Sequence, residues 1–182
     1  MLRPSMSTRS GDGQMDAFVA IASKRDTRTY GDDPIPPEVA TRILEAGRVS
    51  GNAMNRQERR FVVLEAAREP AAAGVTRPGN LRGATFAVVV VTGAGSFAEF
   101  DAGRVAQSMM LAAWNEGVAS CPNAIADHSI FGELLDLGDD ERIAIVISFG
   151  YPVSRSDVEA RSADDWLAAA DRKPLSSVVQ VV

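Results

Sequence analysis

The order of the helical and strand patterns constrains the fold of this chain most. Apolar spacing predicts helices over 16–24, 36–49, 100–116, 130–135 and 163–170, and a short helix followed by a loop over 66–83. Continuous apolar runs predict buried strands over 61–64, 85–92 and 143–149. Helices come first, and strands and helices then follow without strict alternation. This order favours an α+β fold over a doubly wound parallel sheet.

Composition narrows the class of protein further. With 182 residues, 46% of them hydrophobic, we expect one compact domain over 15–182, preceded by a loosely ordered polar tail over 1–14. A net charge of -5 argues against non-specific nucleic-acid binding, and the longest apolar run, 87–91, is too short for a membrane span. One cysteine, Cys121, excludes an internal disulfide and fits a reducing compartment, so we expect a cytoplasmic protein.

The break between the first two helices carries a basic motif. Residues 24–30, here called the arginine segment, read Lys-Arg-Asp-Thr-Arg-Thr-Tyr and place Arg25 and Arg28 three residues apart with Thr27 between them. Each guanidinium offers a planar fork of donors that can bind two oxygens at once. The segment therefore suits an oxyanion such as a phosphate.

A second motif follows the proline-led helix. Residues 51–57, here called the amide loop, read Gly-Asn-Ala-Met-Asn-Arg-Gln. Side-chain amides donate and accept on one edge, as recognition of a heterocycle with alternating N–H and C=O groups requires.

Together the two segments resemble the flavin-binding N-terminal half of the nitroreductase family, which usually reads Arg-Arg-Ser-x-Arg-x-Phe and then Pro-Ser-x-x-Asn-x-Gln-Pro-Trp. The resemblance implies that the phosphate, ribityl chain and pyrimidine edge of FMN are held by Arg25, Asp26 and Arg28. It also implies that a flavin bound mainly to the partner subunit is reached by Gly51, Asn52, Asn55 and Gln57. The chain departs from the pattern at Asp26, at Gly51-Asn52 and at Glu58-Arg59.

Two later stretches resemble the same family. Ser-Cys-Pro-Asn-Ala over 120–124 matches the stretch beside the flavin N5, which implies that the main-chain N–H of Ala124 bonds N5 while Pro122 and Asn123 shape the wall. Arg-Lys-Pro-Leu over 172–175 matches a closing motif that returns to the phosphate, which makes Arg172 and Lys173 further candidates.

The resemblance implies a nitroreductase-type fold, with a central mixed β-sheet flanked by helices in an intertwined homodimer and FMN at the subunit interface. The Met- and Ala-rich helix over 101–116 would suit the dimer core, and the apolar end, 178–182, would join the partner's sheet. The implied activity is a ping-pong oxidoreductase reaction in which NAD(P)H drives reduction of an electron-poor acceptor, a nitroaromatic or a quinone. No side-chain acid or base is expected to be essential.

Larger members of the family insert helices that cover the active site between the strand that ends here at Val91 and the helix that starts near Asp101. Because this chain has only a short link there, the resemblance implies a more open pocket. The tail, residues 66–83 or the partner would have to cover it.

Two other functions remain open at this stage. The same fold could bind a flavin as a non-catalytic carrier or sensor. Alternatively, Gly93 and Gly95 begin a G-x-G-x-x-A pattern typical of dinucleotide binding, with Glu116 near the spacing of its ribose-binding acid. A zinc site of the usual kind is not expected, since the chain has one Cys and one His.

Overall fold

A computed structural model describes residues 15–154, 158 and 160–182. The helices within these residues are α1 Ala17–Ser23, α2 Pro37–Val49, α3 Arg68–Ala72, α4 Pro78–Arg82, α5 Ala98–Asn115, α6 His128–Leu134 and α7 Ala163–Ala168. The strands are β1 Arg59–Val63, β2 Phe86–Thr92, β3 Ala119–Asn123 and β4 Arg142–Gly150. Two short 3₁₀ turns, Ala53–Asn55 and Leu175–Ser177, complete the described elements.

Four strands form one sheet in the order β1-β2-β4-β3, and each neighbouring pair is antiparallel. The four strands themselves are therefore not mixed, in contrast to the expectation. Among the described residues, parallel pairing is limited to an isolated bridge between Asp26 and Ser120 at the β3 edge. Helices and an antiparallel sheet in one chain give the α+β class that the pattern order predicts.

Both faces of the sheet are covered, which explains why the β2 sequence is a continuous run of apolar residues. On one face, Val88 and Val90 pack with Ile43 of α2 and Met109 of α5. On the other face, a second core contains Leu64, Ala71, Leu81, Val89 and Phe131. Side chains alternate between the two faces along a strand, so consecutive valines serve different cores.

Helix α5 ends as its sequence predicts. Gly117 has a φ of 74°, and the N–H of Val118 donates to the carbonyl oxygen of Ala113 at 2.9 Å. This is the Schellman arrangement, for which glycine is favoured because it lacks a Cβ. The methionines that suggested a dimer-core helix, Met109 and Met110, are buried within the chain's own core. The exposed residues of α5 include Phe100, Gly103, Arg104 and Gln107.

Sequence reasoning missed β3 and misread 66–83. Ala-Ser-Cys-Pro-Asn has little strand propensity, and its Pro122 is tolerated because β3 is an edge strand. The stretch predicted as one helix and a loop holds two short helices, α3 and α4, the second begun by Pro78.

The described residues fall into two compact units. One contains residues 25–154 and carries the sheet. The other contains residues 15–24 with 158 and 160–182, where α7 begins with a capping box between Ser162 and Asp165 and packs against α1. The single domain expected over 15–182 stays a prediction, and the expected tail over 1–14 lies outside the described residues. Residues 178–182 are exposed and contain no strand.

Candidate functional site

The arginine segment lies along the outer edge of β3. The N–H of Thr27 donates to the carbonyl oxygen of Ser120 at 3.1 Å, and Asp26 forms the parallel bridge with the same residue. Arg25 is half-buried and Arg28 is exposed. The fold therefore brings two predicted parts of the flavin site together, although they lie far apart in the sequence.

Tyr30 anchors the end of this segment. Its buried hydroxyl lies 3.0 Å from Ser148 Oγ and 3.3 Å from the Ser148 carbonyl oxygen, and the N–H of Gly31 donates to Tyr151 O at 2.8 Å. Burial raises the pKa of Tyr30 well above its ordinary value, so the hydroxyl stays protonated. The arginine segment is thus tied to β4 as well as to β3.

Asn123 supports β3 from its buried side. Its Oδ1 accepts from Asn80 Nδ2 at 3.0 Å, and its Nδ2 lies 3.0 Å from Cys121 O, 3.1 Å from Ser148 Oγ and 3.3 Å from Val146 O. Because these bonds engage the whole side chain, only the backbone of Asn123 remains for a wall beside a flavin. Asn80 could not be found from the sequence, since nothing in its local pattern connects it with residue 123.

Ala124 lies just beyond β3 and is exposed. Its carbonyl oxygen accepts from the N–H of Thr76 at 2.9 Å and lies 3.2 Å from Thr76 Oγ1. An antiparallel bridge between Val75 and Ile125 continues this pairing. Residues 75 and 76 therefore fix the backbone of the position whose N–H is predicted to bond N5. Pro122, on the same edge, is half-buried.

The amide loop has an unusual backbone. Met54, Asn55 and Gln57 have φ angles of 52°, 53° and 57°. Residues with a Cβ pay about 1 kcal/mol each to occupy the left-handed region, and such conformations cluster at ligand-binding sites. Asn52 is half-buried, whereas Gly51, Asn55 and Gln57 are exposed.

Side chains hold the loop in this shape. The N–H of Ala53 donates to Asp101 Oδ2 at 2.8 Å, and the N–H of Gln57 donates to Asn52 Oδ1 at 2.9 Å. Arg59 Nη2 donates to the carbonyl oxygens of Arg48 and Ser50 at 2.9 and 2.6 Å. The side chain that appeared to depart from the family pattern, Arg59, therefore fastens the loop to the end of α2.

The arginine segment and the amide loop lie at opposite ends of the sheet. Arg59, which follows the loop, pairs with Thr92, whereas Ser120 pairs with Phe149, which pairs with Phe86. Phe86 and Thr92 are the two ends of β2, roughly 20 Å apart at about 3.4 Å per residue. The two groups also adjoin opposite edge strands, so one chain cannot bring both to a single flavin ring.

Arg172 and Lys173 belong to the other compact unit. Both are exposed, and Arg172 Nη1 donates to the carbonyl oxygen of Ala170 at 2.8 Å. Their approach to a phosphate held by the arginine segment stays a prediction.

The glycine-rich link after β2 does not form a dinucleotide site. Such a site needs two neighbouring parallel strands joined by the helix, but antiparallel β4 lies between β2 and β3. A Cβ on Gly95 would lie 3.1 Å from Glu58 Oε2 and 3.4 Å from Arg56 Nη1, so two side chains already occupy the space beside the link. Glu116, the candidate ribose ligand, pairs with Arg42 at 3.1 Å.

Comparison with known proteins agrees with the family resemblance. The family model described as "Nitroreductase family" matches residues 21–79 and 75–151. A search of curated proteins finds no match. A nitroreductase family protein from Clostridium difficile 630 superposes with a TM-score of 0.77 at 21% identity, covering 91% of this chain and 98% of that chain.

Two further solved structures have similar folds. A protein of Desulfovibrio desulfuricans, named a nitroreductase and solved in complex with FMN, has a TM-score of 0.76 at 21% identity and covers 92% of this chain and 97% of its own. A Parabacteroides distasonis protein, named NADH dehydrogenase/NAD(P)H nitroreductase, has a TM-score of 0.70 at 23% identity with coverages of 75% and 87%. Since the family model spans well over half of the sequence, the chain belongs to the nitroreductase family.

Proposed function

We propose that this protein is an FMN-dependent oxidoreductase whose two flavin sites are each completed by two copies of the chain. The observation that carries the proposal is the contact between the arginine segment and β3, where Thr27 donates to Ser120. This contact supports the proposal because it brings the arginine segment to the edge of β3, the strand that Ala124 directly follows. The solved relative that contains FMN supports the choice of flavin.

The chemistry of the donor groups fits FMN. Exposed Arg28 and neighbouring Arg25 offer charged forks for the phosphate, and Asp26 can accept from a ribityl hydroxyl. The backbone N–H of Ala124 would donate to N5 without a titrating side chain. Bound FMN would supply the redox chemistry, accepting a hydride from NAD(P)H and passing electrons to a nitroaromatic or quinone acceptor.

The separation of the two groups supports a homodimer. Asn55 and Gln57 would contact the pyrimidine ring of a flavin held by the partner's arginine segment, because their own lies at the far end of the sheet. The exposed side of α5 offers a surface for this contact. Phe100 is 67% exposed there, and a groove of about 500 Å³ runs past Gly103, Arg104 and Gln107.

The acceptor is proposed to be a small molecule that enters an open site. Only residues 93–97 connect β2 to α5, so this link carries no helix that could cover a flavin. No helix of the described residues is long and apolar enough to cross a membrane. Cys121, the one cysteine of the sequence, is buried, and a chain that cannot form an internal disulfide suits the reducing cytoplasm proposed for the protein.

The first experiment is an absorption spectrum of the purified protein before and after anaerobic addition of NADPH. We expect a flavin spectrum that bleaches. Flavin that stays oxidised with both NADPH and NADH would contradict the proposed reductant, and a colourless protein that takes up no added FMN would refute the proposal. Gly95→Val tests the dinucleotide alternative, because FMN retention should survive it better than it survives Arg28→Ala.

A mixed dimer tests the shared site. Arg28→Ala and Asn55→Ala should each weaken FMN binding at both sites of a homodimer. In a purified heterodimer of the two variants, one site has both residues intact and the other has neither. We expect one tightly bound FMN per heterodimer, whereas equal weak binding by heterodimer and parents would exclude a site shared in this way.

A non-catalytic flavin carrier is the second candidate, favoured by the departures at Gly51-Asn52 and Glu58-Arg59. Steady-state turnover with NAD(P)H and a quinone separates the two functions, because a carrier would bind FMN without sustained turnover.

A further inference from the structure

The amide loop needs an external support, because its own backbone disfavours the shape it has. Met54, Asn55 and Gln57 all lie in the left-handed region. The hydrogen bonds within the loop, from the N–H groups of Asn55 and Gln57 to Asn52 and from the N–H of Arg56 to Ala53 O, close the loop only upon itself. Two side chains of α5 reach the loop from outside it. Asp101, in the first turn of α5, accepts a hydrogen bond from the N–H of Ala53, and Arg104 lies against Gly51.

Asp101 uses only one of its two carboxylate oxygens for the loop. Oδ1 is buried and accepts no hydrogen bond from the described residues, while Arg104 Nη1 lies 3.7 Å from it. A buried carboxylate oxygen without a hydrogen bond is costly, so the nearby guanidinium is the charge that offsets its burial.

Arg104 also packs against the backbone of Gly51. A Cβ on Gly51 would lie 2.9 Å from Arg104 Cζ and closer still to Nη2, so the guanidinium fills the space of a side chain. On its other side the guanidinium carbon lies 5.8 Å from the centre of the Phe100 ring. The departure from the family's Pro-Ser at 51–52 thus coincides with an arginine packed against the backbone.

We propose that Asp101 and Arg104 are positioning residues that together hold the amide loop in the shape required for flavin contact. Asp101 fixes the loop through Ala53, and Arg104 holds Asp101 while packing on Gly51. This inference rests on the proposed function, since it takes the amide loop to be the part of one chain that reaches the partner's flavin.

Asp101→Leu removes the acceptor and should weaken FMN binding about tenfold, while Asp101→Asn, which keeps an acceptor for Ala53, should weaken it by about threefold or less. Hydrogen exchange should quicken at Ala53 in Asp101→Leu and stay unchanged in β2. Glu38→Leu is the matched control, because Glu38 is an exposed acid in the first turn of α2. Asp101→Leu that binds FMN within about twofold of wild type would overturn the proposal.

A double-mutant cycle tests Arg104 separately. Gly51→Ala should weaken FMN binding in the wild-type background by displacing the guanidinium, and should have no further effect once Arg104 is alanine. Equal losses from Gly51→Ala in both backgrounds would contradict the packing role. Gly51 and Arg104 are both exposed, so this cycle remains decisive if Asp101→Leu fails to fold.

The two proposals fail in different ways. Absence of FMN binding by the wild-type protein would refute the proposed function. Hydrogen exchange at Ala53 requires no flavin, and unchanged exchange in Asp101→Leu would refute the positioning role alone.

Discussion

The arginine segment and the amide loop are the two groups predicted to bind the flavin, and the chain holds them by different means. The arginine segment is fastened by backbone pairing with β3 and by the buried hydroxyl of Tyr30. The amide loop has three left-handed residues and is held mainly by side chains from α5 and β1. The first group is thus part of the sheet, whereas the second is a local structure attached to it.

Because of this difference, we expect substitutions near the arginine segment to affect stability and substitutions in the amide loop to affect ligand binding. Damage to the support of the arginine segment should destabilise the whole sheet, because Tyr30, Ser148 and Asn123 share one buried network. Damage to the amide loop should change ligand binding with little effect on global unfolding, because most of the loop is exposed. Substitutions in the loop could therefore tune the site while the fold is preserved.

The largest expected effect is at Asn123, in the buried network that supports the arginine segment. Asn123→Leu should lower the free energy of unfolding by about 3 kcal/mol, because Asn80, Ser148 and two carbonyl oxygens lose their partner. Denaturant titration measures the change. The same substitution at exposed Asn55 should cost about 1 kcal/mol or less. Equal losses at the two positions would show that the network does not support the sheet.

A smaller effect should appear at Met54, which is 74% exposed with a φ of 52°. Met54→Gly should be more stable than Met54→Ala by about 1 kcal/mol, because alanine keeps the Cβ that the left-handed region disfavours. Thermal or denaturant unfolding of the pair measures the difference. At Gln107, an exposed position within α5, the order should reverse. Alanine more stable than glycine at both positions would mean that the loop is not strained.

The sequence predicts most of the elements because their signals are local. Pro36 is the N-cap of α2 and Pro37 its first residue, within one residue of the predicted start, and the valines of β2 form a buried inner strand. β3 could not be predicted, since Ser120, Cys121 and Pro122 become a strand only through pairing with β4. Tertiary pairing overrides weak propensity there.

The candidate site was predictable only in part, for the same reason. The arginine and amide motifs are contiguous in sequence and could be read directly. The support of Ala124 by Thr76 and the attachment of Ala53 to Asp101 join distant residues, so no local pattern announces them. One left-handed residue of the loop is Met54. Turn rules expect Gly, Asn or Asp in that region, so the backbone shape of the loop could not be predicted.

The smallest expected effect is a pH dependence at the amide-loop end of the sheet. Arg60 of β1 pairs with Glu141 through two contacts of 2.7 Å, and the N–H of Gly138 donates to Glu141 at 3.0 Å. The Arg60 hydrogen bond, with that of Gly138, lowers the pKa of Glu141 to about 2. The depressed pKa means that this stabilisation is complete above the unfolded value, about 4.3, and is lost as pH falls toward 2. Partial exposure of both side chains keeps the effect modest.

Hydrogen exchange measured between pH 5 and about 2.5, corrected for intrinsic rates, distinguishes the two ends of the sheet. Protection of β1 amides should decline over this window, and Glu141→Gln should remove that part of the pH dependence. Tyr30 provides the contrast at the other end, since its hydroxyl stays protonated throughout and its bonds to Ser148 do not respond to acid. The contradicting result is a decline in amide protection that is equal at β1 and β3 and is the same in Glu141→Gln as in the wild type. It would mean that acid loosens the sheet as a whole and that the Arg60–Glu141 pair stabilises neither end preferentially.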